Sequence, residues 1–351
     1  MRVLRVNILS QLAQNSTAYV EHSSCPADMK VLAPVVANVA SKSAFVSCVD
    51  GISAMCVAGM LLLVGAEPGK KSNSARILNA RVMEITKAKI AESKAKGTPL
   101  DREFLAAQRP MTLLKAGMPV YNDDRWMFTP ILLFALCAYW ACDLAATYGA
   151  AVTVICFLLN FLAYDLYSGI LHLCLDHPEN IDVPIMGQPC LEFQWHHHIP
   201  EDIVVKGLFE ACADLNLVGC LLLSIQYFGV SGMGADKLVL GCAGMKAMIA
   251  QFGQYSHRAS HTRLADRPPF AKWCQNQGLM ITVKDHHKHH TAPHDTEFCL
   301  IGVCNPIMNR LIKFMPPYEN NKFYLGLFAA WSFLDMVLIC RVVRTLAPNA
   351  I

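Results

Sequence analysis

Histidine is concentrated in one stretch of this 351-residue chain. Of its 13 histidines, 12 lie between His172 and His294, where they form five clusters. Imidazole nitrogen is a suitable ligand for iron, copper or zinc. A single zinc ion takes only three or four protein ligands, so about eight converging imidazoles are too many for one ion. The clusters therefore predict a site that binds two metal ions.

The spacing within the clusters is that of ligands on helix faces. His172 and Asp176 stand four positions apart, as do His257 and His261, so each pair would share one face of a helix. The segment 286–290 offers the same relation if it is helical. An isolated histidine on an apolar face is usually a packed core residue. Three helix-spaced clusters are a stronger indication of a metal site, because ionisable groups at membrane depth are costly unless they are functional.

Apolar segments would carry these clusters to one end of a helical bundle. Hydropathy predicts four transmembrane helices, at about 127–147, 150–171, 211–230 and 238–256. Two crossings separate the first two clusters from the last three, so all five are expected on one side of the membrane. The cluster 196–198 would lie there in a polar loop. Most of the loop lysines and arginines fall on the same side, which the positive-inside rule assigns to the cytosol or stroma.

An acidic residue inside an apolar segment bears on how that segment is interpreted. The last apolar segment, about 323–343, includes Asp335 and is followed by Arg344. A charge inside the segment and arginine at its end favour an interfacial C-terminal helix over a further span. Asp165 lies inside the second predicted span and is expected to be a structural hydrogen-bonding group rather than a ligand.

The composition is that of a membrane protein. Hydrophobic residues make up 54% of the chain and charged residues only 16%, whereas a soluble domain carries about 25% charged residues. A net charge of +3 without a basic stripe argues against a nucleic-acid partner. The 15 cysteines include no CxxC pair, which argues against a zinc ribbon or a thioredoxin motif. The predicted fold class is an all-α polytopic membrane protein with a histidine-ligated di-metal site on one membrane side.

The chain divides by composition into three regions. Residues 1–66 resemble a leader, because residues 1–44 combine basic residues with many Ser and Thr, as organelle transit peptides do. An ordinary N-terminus is the alternative, and the apolar stretch 45–66 is either a mature span or part of the leader. Residues 67–126 are expected to form a basic soluble linker, and residues 127–347 the membrane domain.

Most of the histidines stand in ordered motifs. These motifs are Asp165-Leu-Tyr-Ser-Gly169-x-x-His172-x-x-x-Asp176, Phe193-Gln-x-His196-His197-x-x-Pro200, His257-x-x-x-His261, Pro268-Pro269 and His286-x-x-His289-His290-x-Ala292-Pro293. Together they resemble the motifs of the Kua family of lipid desaturases, and the resemblance covers about residues 127–347. That family includes plasmanylethanolamine desaturases and the plant plastid desaturase that makes trans-3-hexadecenoate on phosphatidylglycerol.

The resemblance implies a non-haem di-iron centre, O2 as the oxidant and a lipid acyl or alkyl chain as the substrate. The ligands that it implies, position by position, are His172, Asp176, His196, His197, His257, His261, His286, His289 and His290. Less uniform positions of the family are matched by His177, His198, His287 and His294.

Two features of the sequence bear on the substrate. Asp-Leu-Tyr-Ser-Gly and Phe-Gln-x-His-His resemble the plastid branch, and the ether-lipid branch has a histidine at or near Lys206. We therefore expect desaturation near the carboxyl end of palmitate on plastid phosphatidylglycerol. The alternatives are a plasmanylethanolamine desaturase, a lipid hydroxylase and a histidine-rich metal transporter.

The sequence contains no haem or flavin motif, so two electrons per turnover would come from a partner. The expected donor is ferredoxin in a plastid membrane, or cytochrome b5 if the protein resides in the endoplasmic reticulum membrane.

Overall fold

All regular secondary structure in the part of the chain that the structure describes is helical. The computed structural model describes residues 80–110, 128–183, 187–211, 237–291, 294–317 and 320–348. Its helices are α1 (Ala80–Lys96), α2 (Arg102–Gln108), α3 (Phe128–Asp176), α4 (Gly187–His198), α5 (Asp202–Val205), α6 (Leu208–Ala211), α7 (Lys237–His261), α8 (Pro269–Asn276), α9 (Val283–His289), α10 (Asn305–Leu311) and α11 (Asn321–Leu346), with 3-10 turns at Pro178–Asp182 and Ile312–Phe314. The predicted all-α class is confirmed. The predicted leader and nearly all of the predicted third span lie outside the described residues.

Helix α3 consists of two arms that meet at Gly149. The first arm covers residues 128–148 and the second covers 150–176; between them Gly149 has a φ of 82° and a ψ of 169°. Glycine adopts such angles readily, whereas an L side chain would be strained there. The two arms correspond to the segments predicted at about 127–147 and 150–171.

Contacts with α7 show that the chain reverses between the two arms. Leu144 of the first arm lies against Gly241, and Cys156 of the second arm is hydrogen-bonded to Cys242. In a straight helix, residues twelve positions apart are separated by about 18 Å. They could not both contact neighbouring residues of α7 unless the arms formed a hairpin.

Helix α7 approaches the second arm closely and runs in the same direction. A Cβ added at Gly253 would lie 2.8 Å from Tyr164, so a larger residue would force the helices apart. Because Cys156 contacts Cys242 and Tyr164 contacts Gly253, the two helices are parallel. Their C-terminal ends therefore lie at the same end of the bundle.

Within the described ranges, fewer helices have the length and hydropathy of a membrane span than the sequence predicts. Among the described residues, one helical stretch, Ile131–Asp176, is long and apolar enough to cross a membrane. The halves of α11, Asn321–Ser332 and Leu334–Leu346, meet that criterion together and are bent by 42°. Helix α7 forms where the span at about 238–256 was predicted, but it carries Lys246 and does not reach the same hydropathy.

The acidic residue inside α11 is paired with a lysine of α7. Asp335 lies 2.6 Å from the ammonium group of Lys246, and both side chains are largely buried. Lys246 also donates a hydrogen bond to the Ser332 carbonyl oxygen at 3.0 Å and lies over the Tyr167 ring, 4.4 Å from its centroid. The charge that favoured an interfacial C-terminal helix is thus accommodated by a partner within the protein.

The region predicted as a basic linker contributes two helices that pack on α4. Ile90 of α1 and Leu105 of α2 form a buried cluster with Trp195. Arg109, which follows α2, donates hydrogen bonds to both carboxylate oxygens of Asp202 at 3.0 Å. Residues 80–110 therefore support the helix that ends in the 196–198 cluster.

Replacing Asp335 alone by leucine should destabilise the protein, because Lys246 would keep its charge without a buried counter-charge. Removing one partner of a buried ion pair costs about 3 kcal/mol, whereas an apolar pair of similar volume is nearly neutral. Thermal unfolding in detergent micelles should show a clear loss for Asp335→Leu and recovery in the double variant Lys246→Met, Asp335→Leu. An equal loss in both variants would show that the unpaired charge of Lys246 is not the cause of the destabilisation.

Candidate metal centre

Four helices bring candidate ligands to one place. The ligands lie in the last turn of each helix or directly before it: His172 and Asp176 in α3, His196 and His197 in α4, His257 and His261 in α7, and His286, His289 and the C-cap residue His290 in α9. The C-terminal end of a helix carries partial negative charge from its unpaired carbonyl groups, and this charge favours a cation.

The prediction that the cluster 196–198 lies in a loop is wrong, because these residues form the end of helix α4. Tertiary packing accounts for this helix better than its sequence pattern does. Cys190, Leu191 and Trp195 are buried against neighbouring elements. Three consecutive histidines lack the four-residue spacing of the other clusters. The sequence pattern therefore did not indicate a helix here.

The first group of ligands contains only histidine, and we call it the five-histidine site. Each member offers one ring nitrogen, and these nitrogens all lie within 4.8 Å of one another. The Nε2 atoms of His286 and His261 are 2.7 Å apart, and those of His290 and His286 are 3.1 Å apart. The members are His196, His257, His261, His286 and His290.

The second group contains a carboxylate, and we call it the histidine–aspartate site. It consists of His172, Asp176, His197 and His289, again with ligand atoms within 4.8 Å of one another. Asp176 Oδ1 lies 2.9 Å from His197 Nε2 and 3.7 Å from His172 Nε2, and Oδ2 lies 3.3 Å from His289 Nε2. The structure thus brings all nine candidate ligands together.

Unpaired nitrogen atoms show that the five-histidine site suits a cation. Both ring nitrogens of His196 and of His257 are buried and have no hydrogen-bond partner in the described part of the chain. Leaving a buried polar group unpaired costs about 1–3 kcal/mol. A metal ion among these rings would give the lone pairs a partner, whereas a structural cluster of histidines would be expected to satisfy them with protein groups.

The protonation state of the five-histidine site also suits metal binding, which requires neutral imidazole. Burial lowers the pKa of His286 well below its usual value, and the neighbouring imidazoles of His261 and His257 lower it further. Burial also lowers the pKa of His197, but the charge of Asp176 and its hydrogen bond outweigh burial and raise that pKa. The carboxylate thus adds negative charge where a second cation would bind.

Backbone carbonyl groups fix the orientation of two ligands in the histidine–aspartate site. His172 donates a hydrogen bond from Nδ1 to the Phe298 carbonyl oxygen at 2.8 Å. His289 donates one from Nδ1 to the Thr296 carbonyl oxygen at 3.2 Å. With the proton on Nδ1, each Nε2 presents a lone pair toward Asp176, as a metal ligand must. The sequence gives no sign of these two acceptors, since backbone carbonyls are common to all residues.

Asp165 holds the segment that supplies those carbonyl groups. One of its carboxylate oxygens accepts hydrogen bonds from the amides of Ile301 and Gly302 at 2.9 and 3.1 Å, and the other accepts one from Cys304 at 2.7 Å. Ser168, one turn later, accepts a hydrogen bond from the Leu300 amide at 2.9 Å. The structural role expected for Asp165 is confirmed.

The remaining histidines of the 172–294 stretch lie outside both sites. His198 and His287 are exposed, and His177 is buried away from the two ligand groups. His294 has a φ of 60° and donates a hydrogen bond from Nδ1 to the His289 carbonyl oxygen at 2.7 Å.

Comparisons with known proteins point to lipid desaturases. Residues 161–320, which contain all nine candidate ligands, match the family described as "Lipid desaturase domain". The chain is 25% identical over 154 residues to the chloroplastic fatty acid desaturase 4 of Arabidopsis thaliana, covering 43% of this chain and 46% of that protein. It is 28% identical over 182 residues to plasmanylethanolamine desaturase 1 of Mus musculus, covering 50% and 59%.

A bacterial protein that the chain resembles is also a lipid desaturase by name. The plasmanylethanolamine desaturase of Myxococcus xanthus is 26% identical over 167 residues, with coverage of 46% of this chain and 58% of that protein. The chain spans about half the length of the curated relatives it matches. No solved structure matches it significantly. The matches support the Kua-type lipid desaturase family, and the resemblance seen in the motifs is thereby confirmed.

Replacing Asp165 by asparagine should weaken metal binding, because the amide NH2 would face backbone N–H groups and loosen the segment 296–304. Loss of a group that orients metal ligands typically lowers metal affinity by about 10–100-fold. Titration of purified apoprotein with Fe(II) would measure the change. Ser168→Ala removes one hydrogen bond and should have a smaller effect. Unchanged affinity in a folded Asp165→Asn variant would contradict this role.

Proposed function

We propose that this chain is a membrane lipid desaturase that holds two non-haem iron ions, one in the five-histidine site and one in the histidine–aspartate site. The observation that carries the proposal is the pair of adjoining ligand sets built from four helix ends. The sets adjoin closely, since the ring of His197 in one lies 4.7 Å from the ring of His290 in the other.

The donor types support iron as the metal. The ligands comprise eight imidazoles and one carboxylate, without a thiolate among them. Nitrogen and oxygen ligands suit iron, whereas thiolate is the mark of copper(I) and many zinc sites. When bound, iron would supply the redox chemistry by which O2 removes two hydrogens from neighbouring methylene carbons.

The protein's part is to hold the ligands rigidly and to exclude water. His172, His257 and His289 are almost completely buried. A dry site protects reactive chemistry from side reactions, and a fixed geometry decides which carbon atoms lie beside the metals.

The depth of the site supports a bond near the carboxyl end of an acyl chain. The ligands lie at the ends of the long helices α3 and α7, and not midway along them. If these helices cross the membrane, the site lies level with the headgroups and the first carbons of the lipid chains. Palmitate on phosphatidylglycerol is the substrate we favour, in keeping with the plastid-type motifs and the chloroplastic relative.

A plasmanylethanolamine substrate is the second candidate, and a specific observation favours it. The mouse plasmanylethanolamine desaturase matches over more residues, and at higher identity, than the Arabidopsis protein. Against it, the chain lacks the histidine that the ether-lipid branch has at or near the position of Lys206. Lys206 itself forms a 2.7 Å ion pair with Glu192. The electron donor depends on the membrane in which the protein resides. It would be ferredoxin in a plastid membrane and cytochrome b5 in the endoplasmic reticulum membrane.

Expression in a host rich in phosphatidylglycerol should yield a 16-carbon monoene esterified to that lipid and unsaturated close to the carbonyl carbon. Mass spectrometry that locates the double bond would identify it. His286→Ala should abolish the product while the protein remains in the membrane, and replacement of the exposed His287 should not. A vinyl-ether lipid or a mid-chain monoene would contradict the substrate, and a hydroxylated lipid would contradict desaturation.

A further inference from the structure

A cavity lies beside the five-histidine site and contains both polar and apolar groups. His196 and His257 line it, together with the apolar side chains of Leu171 and Phe193. Gln254 also lines it. A lipid tail that reaches the metals would need such a space, since it must bring methylene carbons to the histidines while its polar end stays hydrated or hydrogen-bonded.

The charged residues of this cavity are already paired with one another. Lys206 lies 2.7 Å from Glu192 and 3.5 Å from Asp202. Glu210 accepts a hydrogen bond from Arg109 at 2.7 Å. These pairs hold α4, α5 and α6 together. Glu192 keeps one buried oxygen, Oε1, without a partner in the described part of the chain, but a carboxylate oxygen can only accept a hydrogen bond and cannot donate one to a lipid carbonyl group.

Gln254 differs from these residues because its amide is available. Only 4% of the residue is exposed. Its side chain makes no hydrogen bond with the described part of the chain, although it could donate two and accept two. The structure thus leaves an amide that can donate hydrogen bonds on the wall of the cavity next to the metal site, as a ligand-binding group would require.

The spacing along α7 matches the spacing along an acyl chain. Gln254 precedes His257 by three residues, so the two side chains share a helix face and are separated by about 4.5 Å along the axis. Two or three carbon–carbon bonds of about 1.5 Å each cover a similar length. A carbonyl group held at Gln254 would therefore place the carbons just beyond it beside His257.

We infer that the Gln254 amide donates a hydrogen bond to the ester carbonyl oxygen of the acyl chain and so decides which carbon pair faces the metals. Gln254 is then a positioning residue that sets the location of the double bond. This inference rests on the proposed function, because it assumes an esterified acyl chain as the substrate. An alkyl ether lacks that carbonyl group and would gain much less from the contact.

Infrared spectroscopy can test the contact without turnover. The purified protein would be mixed with dipalmitoyl phosphatidylglycerol labelled with ¹³C at the ester carbonyls. We expect part of the ¹³C carbonyl band to shift to lower frequency with the unaltered protein and with Gln251→Leu, the same replacement one turn further from His257. The shift should vanish with Gln254→Leu and with Gln254→Met, which keeps the length of the side chain. A shift that persists in either folded Gln254 variant, or is absent from the unaltered protein, would overturn the inference.

Product analysis gives the second readout. Loss of one hydrogen bond worth about 0.5–1.5 kcal/mol should raise the KM about two- to tenfold, and the double bond should spread over neighbouring positions. A single unchanged position in both Gln254 variants would contradict the positioning role. If the unaltered protein shows the carbonyl shift but makes no unsaturated lipid, the proposed function fails while the contact at Gln254 stands.

Discussion

The convergence of eight imidazoles and a carboxylate, all of them buried or partly buried, is the constraint on which the rest of the structure depends. Rings such as those of His196 and His257 have nitrogen atoms that are shielded from water and unpaired with protein groups. Such an arrangement is unfavourable by itself, and its stability requires a cation or a framework that compensates for it. The carbonyl groups that orient His172 and His289 prepare those ligands for a cation.

The helical framework brings the ligands together by close packing and by internal ion pairs. The hairpin at Gly149 returns the second arm alongside the first, and the glycines of α7 allow that helix to run parallel to the second arm. Both helices then end at the metal centre. The Asp335–Lys246 pair joins α11 to α7, and Asp165 ties the segment 296–304 to the second arm.

Part of this arrangement could be predicted from the sequence. Helix-spaced histidines and family motifs identified the nine candidate ligands, and hydropathy located both arms of α3. The remainder depends on partners that are distant in the chain. Asp335 suggested an interfacial helix because its partner Lys246 lies 89 positions earlier. The carbonyl groups that orient the ligands could not be predicted, and neither could the packing of α1 and α2 on α4, because no local pattern records them.

Metal analysis combined with Mössbauer spectroscopy of ⁵⁷Fe-loaded protein is the most direct test of the proposal that the chain binds two iron ions in two distinct ligand sets. We expect two irons per chain, one for each ligand set. Their spectra should be those of high-spin iron bound by nitrogen and oxygen. Because Asp176 is the carboxylate of one set, the two irons should give separate signals. A single iron per chain, or zinc in place of iron in active protein, would contradict the proposed two-iron centre.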